Sequence, residues 1–220
     1  MTLTACPRAA RGKWRVTLGR TLLSLALLAG FTHAQAATVI QSNLADLIEQ
    51  SERILIGTVA NVTDGFTDAK VPYTEVTINV TDSVRGDNGR TYTFRQFGLK
   101  EPREMDGRTY LVTTPDGWPT WSKQETVMLF LNPPARYTGL QTTVGLELGK
   151  LRIQAGRLTN AARNQGLFRD LRVTAPGLSE AQREMLASEG SAVDFNPFLS
   201  LVRRAVDERW IENGVMRHEQ

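Results

Sequence analysis

The sequence predicts a mainly β fold: a small OB-like β-barrel with a short N-terminal helix and a two-helix C-terminal extension. Three observations carry this. Apolar and polar residues alternate from Val76 to Val84, the period of a half-buried strand. Short β-prone runs recur between Arg53 and Ile153, punctuated by glycine and proline turns. Beyond residue 155 the period changes, and Phe198, Leu201, Val202, Ala205, Val206 and Trp210 trace one helical stripe.

Taken in order, Ser42–Ser51 reads as a short helix, with Ser42 as N-cap and Leu44, Leu47 and Ile48 on one face. Arg53–Val62 is a strongly apolar strand, and Asp64–Lys70 a turn or loop. The alternating strand at Val76–Val84 ends in Arg85-Gly-Asp-Asn-Gly89, a hairpin signal, and Thr91–Phe97 returns. Arg108–Thr114 offers a further strand, and Pro115–Trp121 is a loop. Glu125–Leu131 is a buried strand stopped by Pro133-Pro134; Thr142–Glu147 and Lys150–Ile153 read as a hairpin. Ser179-Glu-Ala-Gln182 is a capping box opening a helix to about Ser188. Asn196-Pro197 reads as an N-cap with proline at N1, and Gly214 closes the last helix. The stripe on that helix faces the barrel; its polar side carries both signs, at Arg203, Arg204, Asp207, Glu208 and Arg209, unlike a basic membrane-surface helix.

Residues 1–36 have the three parts of a Sec-type signal peptide. Arg8, Arg11, Lys13, Arg15 and Arg20 precede the apolar run Thr21–Phe31, and Ala34-Gln35-Ala36 supplies the small residues of a cleavage site. A spanning helix would need about 20 apolar residues, and this run is about half as long. The expected organisation is signal peptide 1–36, β-barrel 37–155 and helical extension 156–220, in an extracytoplasmic protein, periplasmic or secreted, with no membrane anchor after cleavage after Ala36.

The formal charge of +3 belongs to the leader. It holds five of the 26 Lys and Arg and none of the 23 Asp and Glu, so the remainder carries 21 basic against 23 acidic side chains. No basic cluster there suggests a nucleic-acid surface. Cys6 and His33 also lie in the leader, leaving His218 as the one later histidine, near a terminus where chains usually fray. Zinc sites and nucleophilic triads draw on His and Cys, so neither can be assembled in its usual form. No cofactor is expected.

Carboxylates remain as possible catalytic groups: Asp64 with Asp68, Asp82 with Asp87, and Glu101 with Glu104. A glycosidase needs two at a set separation across a cleft; the alternative is solvated turn residues. Asp64 with Asp68, or Asp82 with Asp87-Asn88, offers oxygen ligands for calcium but not the EF-hand spacing. Ser122-Lys123 sits side by side and points to opposite faces of a strand, so it is not a catalytic dyad. Trp118 and Trp121, flanking Pro119, are the candidate binding residues: exposed tryptophans are frequent hot spots, although Trp121 could instead plug the barrel end.

The pieces Ile54–Val59, Val80–Gly86, Trp121–Leu131 and Val144–Ile153, over about residues 44–153, resemble in order and pattern a group of uncharacterised secreted bacterial proteins. Arg85 stands where that pattern has lysine, and Ser122-Lys123-Gln124 where it has glycine and glutamate. The order is also similar to the inhibitory domain of tissue inhibitors of metalloproteinases, an OB-like barrel. That mechanism needs a cysteine at the mature N-terminus, where this chain has Ala37. The expected function is a non-catalytic binding module with a protein partner, a protease partner or inhibitor being its sharpest form. The rivals are a carboxylate-dependent hydrolase of an extracytoplasmic polymer and a structural envelope component.

Overall fold

The computed structural model describes residues 42–219 apart from Asp106 and Leu111. The segment read as a signal peptide, with Cys6, His33 and Ala36, lies outside the described residues. What is described is mainly β, built on one large antiparallel sheet.

Helix α1 (Leu44–Gln50) is capped by Asn43, one residue later than expected. The Asn43 side chain accepts from the Ala45 and Asp46 amides at 3.0 and 3.3 Å, and the Asn43 backbone N–H donates to Asp46 Oδ2 at 2.9 Å. Asp46 at N3 is what selects Asn43 over Ser42, because a reciprocal box needs an acceptor three residues on.

Strands β1 (Arg53–Phe66) and β2 (Pro72–Arg85) form a long hairpin, joined by a turn in which the Thr67 amide donates to Val71 O at 3.0 Å. The ladder continues past Val62, where the sequence suggests a loop, to the Phe66 pairing with Pro72. Its register shifts after Ile54, Ile56 and Val59. Each such bulge increases twist and coils the hairpin. It also switches which parity faces inward: Leu55 and Val59 share a core with Val62. Gly57 is required at the second irregularity, since a Cβ there would lie 2.4 Å from Asn79 O and 2.5 Å from Ile78 Cγ2.

Strand β3 (Thr91–Phe97) returns as the sequence predicts, pairing with β2 from Asn79↔Thr91 to Tyr73↔Phe97. Buried Asn88 organises the turn before it, donating to Ser83 Oγ at 2.6 Å and Arg85 O at 3.1 Å and accepting from Arg53 Nη1 at 3.1 Å. Strands β4 (Arg103–Met105) and β5 (Arg108–Tyr110) make a separate small hairpin. Strand β6 (Thr126–Leu131) lies on the other side of β1 and is followed by β7 (Lys150–Gln154) and β8 (Arg157–Thr159). The expected hairpin of residues 142–147 with 150–153 does not form: Leu146–Gly149 is a 3-10 turn, and β7 pairs with β6 and β8.

Strand β9 (Leu171–Val173) pairs with the later β11 (Met216–His218), while β10 (Val193–Asp194) joins β8 at the sheet edge. The sheet order is β10-β8-β7-β6-β1-β2-β3. Among the described residues no ladder joins the edge strands β3 and β10. Two single contacts lie between β3 and β6: the Gln141 amide donates to Arg95 O at 2.7 Å, and Thr143 bridges to Leu131. Residues 157–159 and 193–194 belong to this same sheet, so the C-terminal part supplies strands as well as helices.

Helix α2 (Glu180–Leu186) has the expected box, with Gln182 N donating to Ser179 Oγ at 3.2 Å and Ser179 N to Gln182 Oε1 at 3.0 Å. Helix α3 (Phe195–Asp207) starts two residues before the expected Pro197, with Asp194 at the N-cap. Pro197 remains in the first turn, where amides have no intrahelical acceptor and a missing N–H costs nothing. His218 is not frayed: it sits in β11 with Nδ1 3.3 Å from Asp46 Oδ2.

The sheet separates two apolar cores. One gathers α1, Ile54, Ile56, Met128, Phe130, Leu151 and Leu158 with Phe198, Leu201, Val202 and Trp210. The other holds Leu55, Val59, Val76, Ile78, Phe94, Val127, Leu129 and Leu131, with Tyr92 and Trp121 at its rim.

Candidate functional site

The two tryptophans singled out by the sequence occupy different environments. Trp121 is half-buried, edge-on to Phe94 at 5.4 Å. Its Nε1 donates to Gln96 Oε1 at 3.1 Å, and the fully buried Gln96 donates onward to Pro119 O at 2.9 Å. Trp118, also half-buried, packs against Phe97 at 6.3 Å. The indole of Trp121 is therefore part of the rim of the second core.

Beside Trp121 lies a buried charge that the sequence pattern did not mark. Lys150, at the start of β7, sits 4.5 Å over the Trp121 ring, donates to Glu125 Oε1 at 2.7 Å and also bonds Thr120 O. Burial pushes its ammonium below the usual lysine range, and the Glu125 carboxylate offsets part of that. Glu125 is itself nearly buried: Oε1 also accepts from the Ser122 amide at 2.9 Å, and Oε2 has Arg152 Nε at 3.5 Å but no hydrogen bond. A small cleft of about 110 Å³ opens here, lined by Thr120, Glu147, Lys150, Arg152, Thr159 and Asn160. Its lysine is bonded to groups of the chain itself, so the pair serves to close this end of the core.

The candidate carboxylates are dispersed. Asp64 pairs with Arg103 and accepts from the Lys100 amide at 2.9 Å. Asp82 pairs with Arg203 of α3 at 2.5 Å. Asp87 accepts from the Gly89 amide at 3.2 Å, and Glu104 from Thr109 at 3.4 Å; Asp68 and Glu101 are exposed. Asn88, the third oxygen donor suggested for calcium, is committed to its turn. Among the described residues no three of His, Cys, Asp and Glu gather as a metal site would need.

What the surface does present is the loop between β6 and Gln141. Tyr137 at its tip is 93 % exposed, with Arg136 above its ring at 5.9 Å. The tip is closed by Ala135 N to Leu140 O and Gly139 N to Ala135 O, both 2.8 Å. Its base is fixed by Gln141, which accepts from Tyr92 OH at 2.7 Å and donates to Asn132 O at 2.6 Å. The sequence contained the signal in Pro133-Pro134 followed by Arg136-Tyr137, but read it only as the stop of a strand.

No protein-family model matches the chain, and no curated protein matches it.

Proposed function

We propose that this is an exported, non-catalytic binding module that recognises a protein partner in the envelope or medium. The observation that carries the reading is Tyr137. A large aromatic held 93 % exposed on a hydrogen-bonded loop, next to an arginine, pairs two residue types that dominate interface energetics. The loop is closed by its own hydrogen bonds, and a preformed loop lowers the conformational cost of association. Trp118, Trp121 and the loop border the coiled half of the sheet, which we read as a partly open OB-like barrel: its gap between β3 and β6 is spanned by the Gln141 and Thr143 contacts. Within the protein-binding reading, a protease partner would be engaged sideways. The tip residues 136–138 form a turn, whereas insertion into a substrate cleft calls for an extended strand.

The test is crosslinking capture in native envelope and culture fluid with tagged protein, followed by mass spectrometry. A single enriched partner, lost on Tyr137→Ala and weakened on Trp118→Ala, is the expected result. A partner list unchanged by either substitution would remove the basis of the reading.

A further inference from the structure

Strand β3 has one side bonded to β2 and the other largely open. Val80 N donates to Arg90 O and Gly98 N to Pro72 O, so even-numbered residues of β3 hydrogen-bond across to β2. The odd-numbered residues turn their N–H and C=O outward, as the Gln141 contact with Arg95 O and the Leu99 contact with Val112 O confirm. Thr93 opposes Thr77 in a non-hydrogen-bonded pair, their hydroxyls 3.1 Å apart. Among the described residues, nothing takes the outward backbone groups of Thr91 and Thr93, and both residues are exposed. Natural edge strands are usually blunted by proline, charged side chains or bulges. Thr91-Tyr-Thr-Phe-Arg-Gln-Phe97 has no proline, and its one charge, Arg95, is paired with Glu75, leaving Thr91 and Thr93 without such a guard on the strand itself.

The charge around this edge has a sign. Exposed Arg90 stands at its start, Arg95 along it, and exposed Arg136 on the loop that reaches the edge at Gln141. The acids nearby are Glu75, already bonded to Arg95 at 2.7 Å, Asp68, whose charge also acts on Arg95, and Asp87, bonded to the Gly89 amide; the first two are spent on Arg95. Resting on the protein-binding reading above, we propose that the outer edge of β3 takes up an extended, acidic segment of the partner. That segment adds as a further strand through the Thr91 and Thr93 backbone, its carboxylates meeting Arg90 and Arg136.

The geometry supplies its own test. The Thr93 N–H is not used inside the sheet, so Thr93→Pro removes an outward donor while leaving the β2–β3 ladder intact. The probes are an alternating valine–glutamate heptapeptide and its valine–lysine counterpart, titrated into the purified protein and followed by backbone amide NMR. The expected result is shifts centred on Thr91 and Thr93 with the glutamate peptide only, fading at high salt. Thr93→Pro is expected to weaken that binding about tenfold or more, since each lost backbone bond also leaves a peptide carbonyl unpaired. Should that variant fold poorly, Arg90→Glu with Arg136→Glu reads the same site: it is expected to reverse the preference to the lysine peptide. Equal binding of both peptides, absence of binding, or full binding by Thr93→Pro would overturn the proposal. Self-association of the protein abolished by Thr93→Pro would also overturn it, assigning the edge to a second copy. A captured partner lost on Tyr137→Ala but retained by Thr93→Pro would leave the module reading standing and the edge proposal refuted; edge binding without any captured partner would do the reverse.

Discussion

On one face of the sheet, Ile54, Ile56, Met128 and Phe130 pack against α1, α3 and Trp210. One residue along the same strands, Leu55, Val127, Leu129 and Leu131 face the other way and meet only strands, Tyr92 and Trp121. The first face is closed by whole helices with continuous apolar stripes. The second is closed by coiling the β1–β2 hairpin and by a rim that mixes aromatic and polar groups: Tyr92, Gln96, Trp121, Gln141 and Lys150. A helix lid hides its backbone polar groups within itself, so it can seal a face completely. A rim made of loops brings polar groups into the edge of the core, and most of them are bonded within it, as Gln96, Gln141 and Lys150 are, while Glu125 Oε2 is left with only the Arg152 charge. The proposed recognition surface lies on this second side, where the closing elements are loops and an edge strand.

The comparison is most strongly tested by removing a lid residue. Trp210→Ala should cost about 4 kcal/mol in urea unfolding, because the indole is fully buried beneath the turns after α3. A cost below about 1.5 kcal/mol would mean that these turns do not seal the face. Gly57→Ala should cost about 3 kcal/mol, since its Cβ would press on Asn79 O in the neighbouring strand. Lys150→Met should cost a similar amount, about 3 kcal/mol at pH 7, by leaving the nearly buried Glu125 with only the more distant, exposed Arg152 at 3.5 Å. Adding Glu125→Gln should recover most of that loss at pH 7, since it removes the buried carboxylate charge. In the parent chain burial holds the Lys150 ammonium below its ordinary value. The unfolded chain thus keeps that proton longer, and stability from this group rises with pH between the two values; Lys150→Met should lack that slope. On the second face, Ile78→Val should cost only about 1 kcal/mol by thermal denaturation. Tyr137→Ala should move stability by less than about 0.5 kcal/mol while abolishing partner capture.

The same contrast explains what could be read from the sequence. β2 alternates visibly at Val76, Thr77, Ile78 and Asn79 because only one of its faces is covered there. β1 and β6 read as unbroken apolar runs because both faces are buried, and the sequence alone could not say which side each residue takes. The capping box at Ser179 and Gln182 was legible because its two partners are three residues apart. Strands β8, β9, β10 and β11 were not: each has two or three residues, too few to show a period. Nor could Lys150 be recognised as buried, since its partners Thr120 and Glu125 lie 30 and 25 residues away. The sequence put both tryptophans in the Pro115–Trp121 loop, but their engagement with Phe94, Gln96 and Phe97 depends on β3 being alongside.

Helix α1 has a further consequence through its neighbours. Leu44 N donates to Leu167 O at 2.8 Å, Asn43 Nδ2 to Arg169 O at 3.0 Å, and Asp46 meets His218, 172 residues away. Nothing local can complete this packing. At roughly 5–20 residues per second of synthesis, Asp46 waits on the order of ten seconds for its partner to exist. Through that interval Leu47, Ile48, Ile54 and Ile56 have no lid, and the earliest part of the domain to be made is among the last to become native. High sequence separation of this kind slows folding and lengthens the time during which apolar surface can find another chain. The first helix of the domain thus reaches its native contacts only once residue 218 has been made.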